Sequence, residues 1–328
     1  MIKGLTGTIF TGMMLAALFL TGCGESDSSA KMKTIGINQY MEHPLLEQAR
    51  EGMMLELNKL GINEQNGYKI IYRNAGGDQP TAVQISNQLV NQKVDMIVAI
   101  ATPAAQSACK ATKTIPVIYT TITDPVASGL ADSENAPGGN KTGVSDRWPY
   151  DKQIALIKKL CPDAKTVGII LNPSESNSEA SMKYIRPELK KNGLKWLEVP
   201  VANSSEVMGA ARSLVGRCDA IYSPPDNTVV AAASTLVKVA NENKIPFFAG
   251  NVSTVELGAI ATYGNNYYQI GAATARLIAK VFKENVKAVG SLPVIVDSDA
   301  ELVINRSAAQ KQGVKIPEEL LKQAKKVY

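Results

Sequence analysis

The chain has 328 residues, 45% of them hydrophobic and 20% charged, with a formal net charge of +5. That is a globular composition, too long for one compact domain of about 150 residues and suited to two lobes. Lysine and glutamate are interspersed without a basic block, which argues against nucleic acid as a partner, and a single histidine with four cysteines and no CxxC pair gives no metal-ligand spacing.

The chain opens MIKGLTGTIFTGMMLAALFLTGC, with Lys3 as the only charge before Cys23. The apolar run from Phe10 to Leu20 is shorter than the roughly 20 residues of a membrane span. A positive start, a short apolar core and a small-residue cleavage site read as a secretory signal over residues 1–22. Residues 23–32, beginning CGESDSSAK, read as a flexible tether. No later segment is apolar enough to cross a membrane.

From Met32 onward, short β-rich runs alternate with amphipathic helical stretches. KTIGIN (33–38), YKIIYRN (68–74), VDMIVAI (94–100) and IPVIYTTI (115–122) form one cycle; KTVGIIL (165–171), LKWLEVPV (194–201), CDAIYSP (218–224) and IPFFAG (245–250) form a second. Repeated βαβα predicts an α/β fold of two doubly wound parallel sheets. PGGNKTGVSDRW (137–148) is the expected first crossover between the lobes. Residues 258–285 supply a further strand and helix, residues 292–305 further strand character, and RSAAQKQG and PEELLKQAKKVY the closing helices. The expected organisation is a first lobe of 33–143 and 264–289 and a second lobe of 144–263 and 290–328, sharing three crossovers.

In open parallel sheets, ligands bind beyond the carboxyl ends of the strands. The segments found there are NQYMEHP, NAGGDQP, ATPAA, TDP, NPSESNS, SPPDNT and AGN. Their Ser, Thr, Asp and Asn residues are ordinary helix caps. Gathered around a cleft, they also offer helix N-termini to a carboxylate and the side chains of Asp124, Glu175 and Asp226 to an ammonium. Both features together suit a zwitterion. No Gly-x-Ser-x-Gly elbow or GxGxxG motif occurs, and GGNKTG carries Asn140 where a P-loop requires glycine. His43-Pro44 reads as a helix start rather than a catalytic base, so no enzyme is expected; a glycosidase using Glu175 and Asp226 stays open as an alternative. A repressor needs a DNA-binding helix pair where this chain has its signal.

HPLLEQAREG, NAGGDQPTA, ATPAAQSA, TDPVASGL, PGGNKTGVSD, NPSESNS, DNTV and YYQIGAATA follow one another over nearly the whole chain after the signal. In that order they resemble the bacterial ABC-transporter substrate-binding lipoproteins that include tryptophan and tyrosine transport-system binding proteins. Leu20-Thr21-Gly22-Cys23 resembles the lipobox of such proteins, which implies lipid attachment at Cys23 and an extracytoplasmic protein held at the bacterial membrane. The resemblance further implies a type I periplasmic-binding-protein fold, a hinged trap for a small ligand, and delivery to a permease with a cytoplasmic ATPase. A monomer without cofactor or metal is expected, and the ligand implied is an amino acid, aromatic or otherwise apolar. A sensor module serving a membrane receptor is the alternative partner. Carried over position by position, the ligand-binding set is Gln39, Thr102, Ala104, Ala105, Thr123, Asp124, Glu175, Asn177, Ser178, Asp226, Asn227, Asn251 and Gly264. Thr102, Ala104 and Ala105 would hold the carboxylate, and Asp226, then Asp124, the ammonium. Tyr40 and Tyr119 are candidate aromatic walls or else packed core. The sheet order 2-1-3-4 puts Cys161 and Cys218 at the same edge of neighbouring strands, where a disulfide is possible outside the cytoplasm. Cys109 reads as a small buried hydrophobe.

Overall fold

A parallel strand buried on both faces needs a continuous apolar run. The chain supplies such runs at β3 (Met96–Ile100) and β4 (Val117–Ile122), which are buried from end to end. They are central strands of the first sheet in a computed structural model that describes residues 32–296 and 300–328. The signal, Cys23 and all but the last residue of the tether lie outside the described residues.

The first lobe begins with β1 (Lys33–Gln39), α1 (Pro44–Lys59), β2 (Tyr68–Asn74) and α2 (Gln79–Asn91). It continues through β3, α3 (Thr102–Ala111), β4 and β5 (Lys141–Ser145). The second lobe has α4 (Tyr150–Leu160), β6 (Thr166–Leu171), α5 (Ser176–Lys191), β7 (Lys195–Pro200), α6 (Val207–Ser213) and β8 (Ala220–Ser223). Next come α7 (Asn227–Ala231), α8 (Ala233–Asn243), β9 (Phe247–Ala249), α9 (Val252–Leu257) and β10 (Ala261–Gly264). The chain then returns to the first lobe through α10 (Tyr267–Lys283) and β11 (Ile295–Val296). It ends in the second with β12 (Glu301–Ile304), α11 (Arg306–Lys311), α12 (Glu318–Gln323) and β13 (Lys326–Val327).

The first sheet runs β11-β5-β4-β3-β1-β2 and the second β7-β6-β8-β9, all parallel. Both contain the expected 2-1-3-4 order. A third sheet, β10-β12-β13, pairs β10 with β12 antiparallel. Three chain passages join the lobes, after β5, after β10 and after β11.

Several sequence expectations are corrected. The presumed crossover 137–148 contains β5, a full strand of the first sheet, so the chain leaves that lobe after Ser145. Residues 290–296, assigned to the second lobe, end in β11, which pairs with β5 in the first sheet. The amphipathic stretch after Asp226, NTVVAAASTLVKVANEN, forms two helices broken at Ala232. Cys161 and Cys218 do not form a disulfide: both are free. Cys161 packs against the core cluster that includes Val167 and Ile169, and Cys218 against a separate cluster that includes Leu214 and Ile221. The two thiols thus belong to different cores. Cys109 is buried in the first core, as expected.

α1 and α10 meet along glycines. A Cβ on Gly271 would lie 1.9 Å from the Ala49 carbonyl oxygen, and one on Gly52 would lie 2.3 Å from that of Tyr268. The backbones therefore touch, and this contact fixes the element that returns from the second lobe. Gly271→Val should force the helices apart and cost about 1–3 kcal/mol, the range for overpacking a filled core. A urea titration checks it; an unchanged midpoint would show that the contact is not held.

Candidate functional site

The carboxyl edges of the two sheets face one narrow pocket between the lobes. The first lobe supplies His43, Leu45 and Leu46 at the start of α1, Thr102 at the start of α3, and Thr121 and Thr123 at the end of β4. Asp146 and Trp148 follow β5, and Tyr267 opens α10. The second lobe supplies Asn177 from α5 and Pro225, Asp226, Asn227 and Val230 around α7. No lysine or arginine is among these lining residues.

The first-lobe wall is strained and unsatisfied. Ala101, before α3, has φ +78°, and Thr121 has φ +56°. Conformations of this kind cost non-glycine residues about 1–3 kcal/mol and gather at ligand sites. The two are coupled, since the Ala101 N–H donates to Thr121 Oγ1 at 3.1 Å. No side chain caps α3, and Thr102 Oγ1 is buried without a partner among the described residues. An uncapped helix start presents orphan N–H groups and the positive end of the helix dipole. By contrast α2, α7, α9, α10 and α11 each carry an Asp or Asn cap.

The second-lobe wall satisfies itself. Glu175 accepts five hydrogen bonds, from Asn177 Nδ2, the Asn227 and Thr228 N–H groups, Asn227 Nδ2 and Thr228 Oγ1, at 2.6–3.1 Å. Asp226 accepts from the Val229 N–H at 2.9 Å, Ser178 Oγ at 2.6 Å and the Asn172 N–H at 2.5 Å. Burial, then the adjacent Glu175 charge, pushes the Asp226 carboxyl up to about 7. Asp226 thus spends its oxygens capping α7 and tying β6 and α5 to it.

A third group sits on the crossovers. Trp148 Nε1 donates to Tyr267 Oη at 3.0 Å, and Tyr267 Oη donates to Asp146 Oδ2 at 2.5 Å. The Trp148 ring lies against Gly250 so closely that a Cβ there would be 1.8 Å from it. Among the described residues, three hydrogen bonds cross the mouth between lobes: His43 Nε2 with Asn227 Oδ1 at 3.1 Å, Tyr184 Oη to Asp124 Oδ2 at 2.6 Å, and Ser253 Oγ to Gln48 Oε1 at 3.3 Å. The lobes are closed. Burial lowers the His43 pKa below its ordinary value, which favours the neutral ring.

Of the residues expected at the site, Thr102, Thr123, Asn177, Asp226 and Asn227 line the pocket. Ala104 and Ala105 form the buried first turn of α3, behind Thr102. Glu175 and Ser178 stand behind the pocket, holding Asn227 and Asp226. Asp124 lies at the mouth, where its oxygens take the Ala127 N–H and the Tyr184 hydroxyl. Gln39 is turned to Met41 O and Glu47. Asn251 caps α9, and Gly264 ends β10 against Val252. Tyr40 and Tyr119 are packed in the first core. His43, Thr121, Asp146, Trp148 and Tyr267 were not expected as lining. Strand ends locate Thr121, and Asp146 once β5 is recognised; Trp148 and Tyr267 carry no such signal, because they lie on crossovers.

The chain matches, over residues 34–328, the family described as ABC transporter substrate binding protein. It is 40% identical over 314 residues to the tyrosine-binding protein of Clostridioides difficile (strain R20291), covering 92% of this chain and 90% of that one. A crystal structure of an ABC domain in complex with L-Trp from Streptococcus pneumonia is 36% identical, covers 90% of this chain and 99% of its own, and superposes with a TM-score of 0.87. The ligand-free, open structure of a substrate-binding protein with adhesive properties from Clostridium difficile is 37% identical at the same coverages, yet scores 0.67. At similar identity, the ligand-bound structure thus superposes better on this chain than the ligand-free, open one does. The fold is that of type I periplasmic binding proteins, and the chain belongs to the ABC transporter substrate-binding protein family.

Proposed function

We propose that this protein is the extracytoplasmic receptor of an ABC importer, held to the membrane by lipid on Cys23, and that it captures an α-amino acid with an aromatic side chain for delivery to a permease. The observation that carries the ligand class is a pocket with carboxylates and no cationic side chain, facing an uncapped helix start with an unpartnered Thr102 hydroxyl. The ligand carboxylate is met by the α3 N-terminus with Thr102, Thr121 and Thr123. The ammonium is met by Asp146, which lines the pocket beside the first-lobe threonines, while Asp226 holds α7, Ser178 and the Asn172 N–H together. Leu45, Leu46, Trp148, Pro225 and Val230 form the apolar remainder. The tyrosine-binding relative and the L-Trp complex support an aromatic ligand.

Calorimetry with L-tryptophan, L-tyrosine and L-phenylalanine tests the reading; failure of all three to bind refutes it. Asp146→Asn should weaken binding by about 2–5 kcal/mol, the scale for losing one partner of a buried charge pair. Asp124→Asn loses only the mouth contact and should cost about 0.5–1.5 kcal/mol. Equal losses in both variants would remove Asp146 from its role.

Membrane attachment is tested by fractionation: Cys23→Ser should leave the membrane fraction and lose lipid labelling. A retained, labelled variant would overturn it.

The raised Asp226 carboxyl has a consequence for stability. Its ordinary value is 3.8 and its folded value about 7. Between these the folded chain holds a proton that the unfolded chain has lost, so stability falls as pH rises through that window. Ligand-free protein should therefore lose about 1 kcal/mol or more between pH 4.5 and 7.5, relative to Asp226→Asn, in urea titrations. Parallel pH profiles for both would contradict the assignment.

A further inference from the structure

One atom of the pocket has its hydrogen-bonding role fixed by a chain of contacts that begins outside it. Glu175 can only accept from Asn227 Nδ2, 2.6 Å away, which orients the Asn227 amide. Asn227 Oδ1 therefore faces His43 Nε2 at 3.1 Å. An amide oxygen has no hydrogen to give, so the hydrogen lies on Nε2. The neutral imidazole has one such hydrogen, which leaves Nδ1 a bare lone pair. Nδ1 is buried and has no partner among the described residues, and His43 lines the pocket.

We infer that His43 is a specificity-determining residue, whose Nδ1 accepts an N–H or O–H carried at the far end of the ligand's apolar side chain. This rests on the amino-acid reading above. The placement distinguishes a side-chain donor from the ammonium. His43 and its partner Asn227 sit on the elements that also supply Leu45, Leu46, Pro225 and Val230, the apolar part of the lining. The threonine hydroxyls and Asp146 come from α3, β4 and the segment after β5. An indole N–H or a phenol O–H satisfies Nδ1; a phenyl ring leaves it buried and unpaired, a cost of about 1–3 kcal/mol.

The test uses pairs of ligands that differ in this one hydrogen. Calorimetry compares L-tryptophan with benzothienyl-L-alanine, in which sulfur replaces the indole N–H, and L-tyrosine with L-phenylalanine. The donor-bearing member of each pair should bind about 10-fold or more tighter. His43→Leu should bring each pair to within about twofold. That variant also loses a contact between lobes, so the wild-type protein provides a second readout. The chain has one histidine, and ¹⁵N-histidine labelling therefore gives a single imidazole. Its Nδ1 resonance should be that of an unprotonated nitrogen and should move with L-tryptophan but not with benzothienyl-L-alanine. Equal affinities within both pairs, or a protonated Nδ1 in the complex, overturn the inference while leaving the amino-acid reading in place. No binding by any of the four ligands overturns the amino-acid reading and this inference with it.

Discussion

The buried carboxylate of Glu175 is the constraint from which the second half of the site follows. Taking a carboxylate out of water costs several kcal/mol unless donors replace its hydration. Five donors do so here, two of them backbone N–H groups at the start of α7. Meeting that demand fixes Asn177, Asn227 and Thr228, and through Asn227 it sets the hydrogen on His43. Asp226, beside it, cannot ionise as easily against an existing negative charge, and yields by holding its proton to higher pH. The wall of the second lobe is thus built and rigid without any ligand.

The opposite wall has the reverse character. Ala101 and Thr121 hold strained backbones, α3 is uncapped, and Thr102 Oγ1 lacks a partner among the described residues. A ligand has most to satisfy there. The three hydrogen bonds described between the lobes are each worth about 0.5–1.5 kcal/mol. Such a closure is easily biased, and a ligand biases it only through contacts that the open form lacks.

The fold was legible because parallel strands covered on both faces leave long apolar runs, and the helices between them set the sheet order. KTGVS was missed as a strand because its glycine and polar residues do not make such a run. Its burial comes from the neighbours: Gly143 admits the Tyr119 backbone and ring, and no side chain fits between them. The rule that ligands bind beyond strand ends found Thr102, Thr123, Asn177, Asp226 and Asn227. It could not separate residues facing the pocket from those holding them, so Glu175 and Ser178 were grouped with their partners. Asp146 escaped with β5, and Trp148 and Tyr267 because two crossovers, over a hundred residues apart in sequence, bring them together. The cysteine pair failed because proximity at a sheet edge says nothing about which core a side chain joins.

On the proposed reading, these differences order the events of capture. Thr102, Thr121 and Thr123 belong to the first lobe, and Asp146 is tied to it through its N–H on Ile122 O and its carboxylate on Tyr267. Every group assigned to the ligand's charged ends therefore moves with the first lobe. The second lobe brings Asn177, Pro225, Asn227 and Val230, which meet the side chain and the remaining edges. An amino acid can then dock by its backbone in the open form, whatever its side chain. Closure adds the second-lobe contacts and the His43–Asn227 bond together, so the side chain is read at the step that shuts the pocket. Selectivity on this account resides in the closing equilibrium rather than in the first encounter.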